Sequence, residues 1–222
     1  GIKFFMKEDV VPHYVDKPMY LMAPAIIMTP ALVLFAAIPF GMSFAWNGNI
    51  VHLQIAQLNV GVLYFLAVAS LGVYGIVLGA WASNNKYSLL GGLRASAQMI
   101  SYELAMGLAI ITVVLISSGP GVNGFNLQEI VAHQTGYWFG IIPKWNLFAN
   151  PIAFLVFLVA IFAETNRLPF DFAEAEQELV GGYHTEYSSM KFAMFMLAEY
   201  VNMITMSAFL VVLFLGGWHV PG

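Results

Sequence analysis

The sequence predicts an all-α, polytopic transmembrane helix bundle of about five spans, with an N-terminal amphipathic helix and an acidic cytoplasmic loop. Three observations predict it. First, 60% of the 222 residues are apolar and only 9% are Asp, Glu, Lys or Arg, against about 25% charged in soluble domains. Mean hydropathy is +0.78, and a globule of this length would have too little polar surface to meet water. Second, the apolar residues gather in stretches near the roughly 20 residues that cross a bilayer. Third, no train of short alternating strands appears, so a barrel is not expected. The same composition excludes a soluble domain, a disordered chain and a nucleic-acid binder, since the formal charge is -4 and the last would need a basic excess. The chain has no Cys. Thiolate-held iron–sulfur clusters, Cys-ligated zinc and disulfides therefore have no ligands in it.

The first residues, Gly1-Ile-Lys-Phe-Phe-Met-Lys-Glu, put Ile2, Phe5 and Met6 on one face and Lys3, Lys7 and Glu8 around the other. That pattern suits a short helix lying in the interface plane. The expected spans lie near 19–46, 60–82, 96–117, 145–164 and 191–216. Pro24, Pro30 and Pro39 predict kinks in the first. In the second, Gly75 and Gly79 form a small-xxx-small pair that suits close helix packing. A Gly-rich loop follows the third, with Leu127–His133 as a short interfacial helix. Lys3, Lys7, Lys17, Lys86, Arg94, Arg167 and Lys191 fall on one side of such a bundle and Lys144 alone on the other. By the positive-inside rule, the N-terminus and the loops around 83–95 and 165–190 face the cytoplasm or its equivalent. The five His lie in loops or tails, which speaks against a bis-His haem, and no HExxH, P-loop or dinucleotide fingerprint is present. The chain lacks an initiator Met, begins mid-pattern and is expected to be a fragment.

Three acids fall within spans: Glu103, Glu164 and Glu199. Facing lipid, each would cost about 2.5–3.5 kcal/mol. At a rise of about 1.5 Å per residue, Glu103 sits roughly 10 Å and Glu199 roughly 12 Å below the cytoplasmic face, with Glu164 at the mouth. One hydrated cavity open to the cytoplasm would hold all three, and such a cluster suits proton exchange. The alternative is three unrelated acids, each satisfied by a neighbouring Tyr, Ser or Arg.

The loop after Glu164 is the densest polar segment. Glu164, Asp171, Glu174, Glu176, Glu178 and Glu186 face a single base, Arg167. Pro169 suits a helix's first turn, and on that helix Asp171, Glu174 and Glu178 would share a face. Nothing local in the sequence pairs these charges. The segment is either a solvated acidic loop or a cluster that an external partner or bound protons must balance. Phe192, Met194, Phe195 and Met196 would line an apolar tunnel, or serve as ordinary core and lipid-facing residues.

Two segments carry a resemblance. One runs from Leu71-Gly-Val-Tyr-Gly through Trp81-Ala-Ser-Asn-Asn-Lys-Tyr to Gly92-Leu-Arg-Ala-Ser-Ala-Gln-Met-Ile-Ser-Tyr-Glu103. The other runs from Ala163-Glu-Thr-Asn-Arg-Leu-Pro-Phe-Asp through Tyr183-His-Thr-Glu-Tyr to Ala198-Glu-Tyr200. Both resemble the H-subunit family of bacterial NADH:quinone oxidoreductase, the counterpart of subunit 1 of mitochondrial respiratory complex I. The resemblance implies a family with one further span before Gly1 and two after Gly222. It implies a quinone (ubiquinone or menaquinone) as substrate, with no bound metal, haem or flavin in this chain. The implied partners are hydrophilic iron–sulfur and quinone-reducing subunits, neighbouring membrane subunits and lipid. The implied location is the bacterial inner membrane or the mitochondrial inner membrane. Residue by residue, it implies a quinone tunnel at Phe192, Met196, Lys3 and Lys7. It implies proton coupling through Arg94, Tyr102, Glu103, Glu164, Arg167, Asp171, Glu174, Glu176, Glu178, Glu186, Tyr187 and Glu199. An F420H2 dehydrogenase or membrane-bound hydrogenase subunit shares parts of the pattern. A cation or proton transporter and a pure membrane anchor are the readings outside that group.

Overall fold

A computed structural model describes residues 2–138, 140, 142–171 and 176–219, with only the backbone described for Trp46, Glu176 and Gln177. Helix α1 is Ile2–Met6, α2 Lys17–Phe35, α3 Gly61–Ala82 and α4 Lys86–Ser117. Then come α5 Leu127–His133, α6 Asn146–Ala149, α7 Pro151–Glu164, α8 Glu176–Leu179 and α9 Ser189–Phe214. Helices α2, α3, α4 and α9 are long and apolar enough to cross a membrane, and α7 is a shorter apolar helix.

The termini of these helices have local causes. The α2 helix keeps Pro24 and Pro30 inside but stops at Phe35, so Pro39 lies beyond it. There the chain forms a hairpin, β1 (Phe44–Trp46) with β2 (Asn49–Val51), paired Phe44↔Val51 and Trp46↔Asn49. Asn47 and Gly48 hold φ of 50° and 84°, the left-handed pair that a tight hairpin turn requires. A second short hairpin pairs β3 (Tyr137–Trp138) with β4 (Ile142–Pro143). A little strand is therefore present where none was expected. At 32 residues α4 begins ten residues before the expected span, because Asn85 Oδ1 accepts from the Tyr87 N–H at 2.9 Å and caps it. The stretch 145–164 is broken at Asn150. Its Oδ1 accepts from the Ala153 N–H at 3.1 Å, and Pro151 follows as the first helical residue. The α7 that results has 14 residues, about 21 Å of rise. Helix α5 occupies the segment expected of it, with Asn126 accepting from the Gln128 N–H at 3.0 Å.

The chain divides into two compact units. Unit 1 comprises Gly1–Leu32, Val68–Glu103 and Phe162–Met203. Its core joins Tyr20, Ala23, Ile27, Ile76, Ala80, Met99, Tyr183, Tyr187 and Phe195. Tyr20 and Tyr187 stack with centroids 4.3 Å apart. Gly75 and Gly79 do set the α2–α3 contact: a Cβ on Gly75 would lie 2.7 Å from Ile27 Cβ and 2.8 Å from its backbone N. Unit 2 comprises Val33–Ala67, Leu104–Ile161 and Ile204–Gly222. Phe65 stacks on Phe209 at 3.7 Å, and Gln134 ties its parts together. The Gln134 side chain donates to Val212 O at 2.9 Å and accepts from the Gly216 N–H at 3.0 Å.

Gly75→Ala is expected to destabilise the fold by about 1–3 kcal/mol through overpacking, read as a lower Tm in detergent. Gly72 has open space around it, so Gly72→Ala should leave Tm unchanged or raise it, Ala being the better helix former.

Candidate functional site

The site lies in unit 1, where the C-terminal end of α7, the loop after it, α4 and the first turns of α9 meet. The run Glu164-Thr-Asn-Arg ends α7 with a reversal. Asn166 adopts φ 48°, its N–H donates to Ala163 O at 3.4 Å, and the Arg167 N–H donates to Phe162 O at 3.0 Å. These two bonds satisfy carbonyls that a helix end leaves open. Pro169 then sits in a turn closed by the Phe170 N–H on Arg167 O at 2.7 Å. Residues 169–171 are therefore not helical, whereas a helix was expected from Pro169; α8 is described over Glu176–Leu179, and Asp171 is half-buried. Glu174 lies outside the described residues, as does the Glu176 side chain.

Gln98 of α4, which lies within a resemblance segment but is given no role by the sequence, holds this turn. Its Nε2 faces Ala163 O at 2.9 Å, Phe170 O at 2.8 Å and Asn166 Oδ1 at 3.2 Å. Tyr102, one turn further along α4, meets Phe170 edge-on at 5.1 Å. Glu164 is 4% exposed, and its Oε2 has no hydrogen-bond partner among the described residues. Glu103 is near enough for its charge to act on Glu164. Glu199 makes its described contact elsewhere, accepting from the Tyr183 hydroxyl at 2.5 Å. The structure thus leaves a Glu164 oxygen without a described partner and gives Glu199 a tyrosine.

The acidic loop is better balanced than its sequence suggested. Arg94 of α4 pairs with Glu178 at 2.6 Å. Glu186 accepts from the Tyr14 hydroxyl at 2.7 Å and from Asn85 Nδ2 at 2.5 Å. That carboxylate raises the Tyr14 phenol above its ordinary range, first by the hydrogen bond. Burial, then the neighbouring Tyr20, raises the Tyr187 phenol, which keeps its proton and faces Tyr20 O at 3.3 Å and Gly79 O at 3.4 Å. The loop's foothold on α4 is backbone against backbone. A Cβ on Gly91 would stand 2.7 Å from Gly182 Cα and Tyr183 N, and Ser88 Oγ donates to Tyr183 O at 2.9 Å.

Beside this lies an apolar groove of about 400 Å³, walled by Phe4 and Phe5 of α1 and by Met190, Ala193, Met194, Met196, Leu197 and Tyr200 of α9. Met196, expected at a tunnel, lines it. Phe192 packs between Phe4 at 5.8 Å and His184 at 5.0 Å, while Phe195 is fully buried core and lines nothing. Lys3 and Lys7 are exposed on the α1 side. Tyr200 joins the two features: it lines the groove, and the Arg167 guanidinium stands 4.8 Å from its ring centroid, within cation–π range. Tyr200 and Gln98 both lie in the segments that carry the resemblance, but a linear reading does not give what they touch, because their partners are about 33 and 65 to 72 residues away.

Gln98→Ala is expected to cost about 1–3 kcal/mol by leaving buried carbonyls unpaired. Hydrogen exchange at 163–170 should rise more than elsewhere in unit 1.

Known proteins share this sequence along its length. A family model described as NADH dehydrogenase matches residues 1–222. The chain is 56% identical over 224 residues to the NADH-quinone oxidoreductase H subunit 1 of Solibacter usitatus, covering 99% of this chain and 54% of that protein. It is 53% identical to the H subunit 2 of Geobacter metallireducens and 51% identical to the H subunit of Protochlamydia amoebophila, covering all of this chain and 64% and 65% of theirs. The chain therefore spans between about half and two thirds of the length of these relatives. With a match along its whole length, the chain belongs to the NADH dehydrogenase family.

Proposed function

We propose that this chain is part of the membrane subunit of a proton-pumping NADH:quinone oxidoreductase. In this reading it binds a lipid quinone in the groove between α1 and α9 and couples quinone reduction to proton movement through the acidic loop. The observation that carries it is Tyr200. One aromatic ring serves both as a wall of an apolar groove and as the platform for Arg167 of the acidic loop. An apolar groove of this size suits an isoprenoid chain and an aromatic headgroup. The electrons come from hydrophilic partner subunits, which dock on the cytoplasmic loops.

Reducing a quinone to a quinol takes two electrons and two protons. Negative charge arriving ahead of the protons acts on Arg167, which is held by Tyr200 rather than by a carboxylate in its described contacts. A shift of that cation changes the field at Glu164, three residues away in the same turn, and Glu103 shares the change through its charge. Glu199 and Tyr183 form a second step, where a hydroxyl proton already bridges loop and helix. The other residues of the resemblance, Arg94, Tyr102, Asp171, Glu174, Glu176, Glu178, Glu186 and Tyr187, order the loop or add charge to it.

The test uses the intact complex. Glu103→Gln combined with Glu199→Gln is expected to leave assembly and NADH oxidation largely intact and to cut proton pumping at least severalfold. Undiminished pumping would remove these acids from the coupling route. A photoreactive quinone analogue is expected to mark Met194, Leu197 or Tyr200; labelling confined to other subunits would remove the groove.

A further inference from the structure

We propose that Ser189 and Lys191 are positioning residues: they hold α1 against α9 and so set how tightly the groove grips the tail of a long-chain quinone. The inference rests on the reading of the groove given above. Helix α1 has five residues and buries none of them, far below the length at which a helix stands alone in water. Its place must come from elsewhere, and the structure shows where. The Ser189 hydroxyl faces Phe4 O and Lys7 O, both at 2.9 Å, covering carbonyls at the open end of α1. Lys191 Nζ donates to both oxygens of Asp9, at 2.7 and 2.5 Å. The Lys191 side chain is only 13% exposed, while Asp9 is about half exposed. Ser188 Oγ accepts from the Val10 N–H at 2.9 Å and faces Val10 O at 3.2 Å.

Ser189 also adopts φ 52° while buried, a left-handed conformation that a non-glycine residue holds only when its surroundings require it. Turning the hydroxyl onto Phe4 O in α1 and Lys7 O just beyond it is what this position gains. None of Ser189, Lys191 and Asp9 lines the groove; they act through Phe4 and Phe5, which do. A wall fixed in this way bears on contacts with a long apolar tail. A quinone that lacks the tail touches little of it.

The measurement is steady-state kinetics of the intact complex in proteoliposomes, with a long-tailed ubiquinone and with a water-soluble ubiquinone of truncated tail. Lys191→Gln and Ser189→Gly are each expected to raise KM for the long-tailed substrate roughly three- to tenfold, the scale of one or two lost hydrogen bonds. kcat, and KM for the truncated substrate, should stay within twofold. Exchanging the charges, Asp9→Lys with Lys191→Asp, should restore much of the long-tail KM. Where Lys191→Gln fails to assemble, Ser189→Gly carries the test, since it keeps the ion pair and relaxes the backbone. Equal changes for both substrates, or no change for either, would overturn the proposal. A photoreactive long-tailed quinone on the unaltered complex separates the two levels. Labelling at Met194 or Leu197 with an unchanged KM ratio overturns the positioning role alone, and no labelling in the groove overturns the groove with it.

Discussion

A helix end has carbonyls that no following turn will satisfy. How α7 meets that constraint decides where the functional groups stand. The chain reverses at Asn166 so that two amides fold back on the last turn, and Gln98 supplies the amide protons that the reversal still lacks. Glu164 is thereby buried and Arg167 is carried out over Tyr200. The polar run is thus first a solution to a hydrogen-bonding problem, and its charges take their positions from that solution.

The loop beyond the reversal obeys a second rule. Among the described residues, several of its polar groups meet partners from the surrounding chain. Arg94 takes Glu178, Tyr14 and Asn85 take Glu186, and Tyr183 reaches Glu199. Glu164 differs, buried with an oxygen that no described residue meets. A carboxyl group in that condition responds to small changes in the field around it.

Much of this was legible in the residue order. The helical class, the helix at Leu127–His133, the short helix at the start and the close contact at Gly75 all follow from local patterns. Some of what went unread was also local. Asn150-Pro151 is a helix start, Asn85 is a cap and Asn47-Gly48 is a hairpin turn, yet long apolar windows outweighed each of them. The remainder was beyond any linear reading. The partners of Glu178, Glu186 and Glu199 lie 84, 101 or 172, and 16 residues away, and only the folded chain says that an arginine, an asparagine and two tyrosines face them. The same holds for the roles of Phe195 and Met196, neighbours in sequence, of which one is core and the other wall.

The bare contact between Gly91 and Gly182 has its own consequence. Because this one contact is made between main-chain atoms, it does not itself depend on what the adjoining side chains are. Acidic and basic groups along the segment can be exchanged, retuning its electrical character, while the seat beneath stays as it was. The contact separates attachment at this point from the chemistry of the charged groups, and it leaves no room for even a methyl group at Gly91.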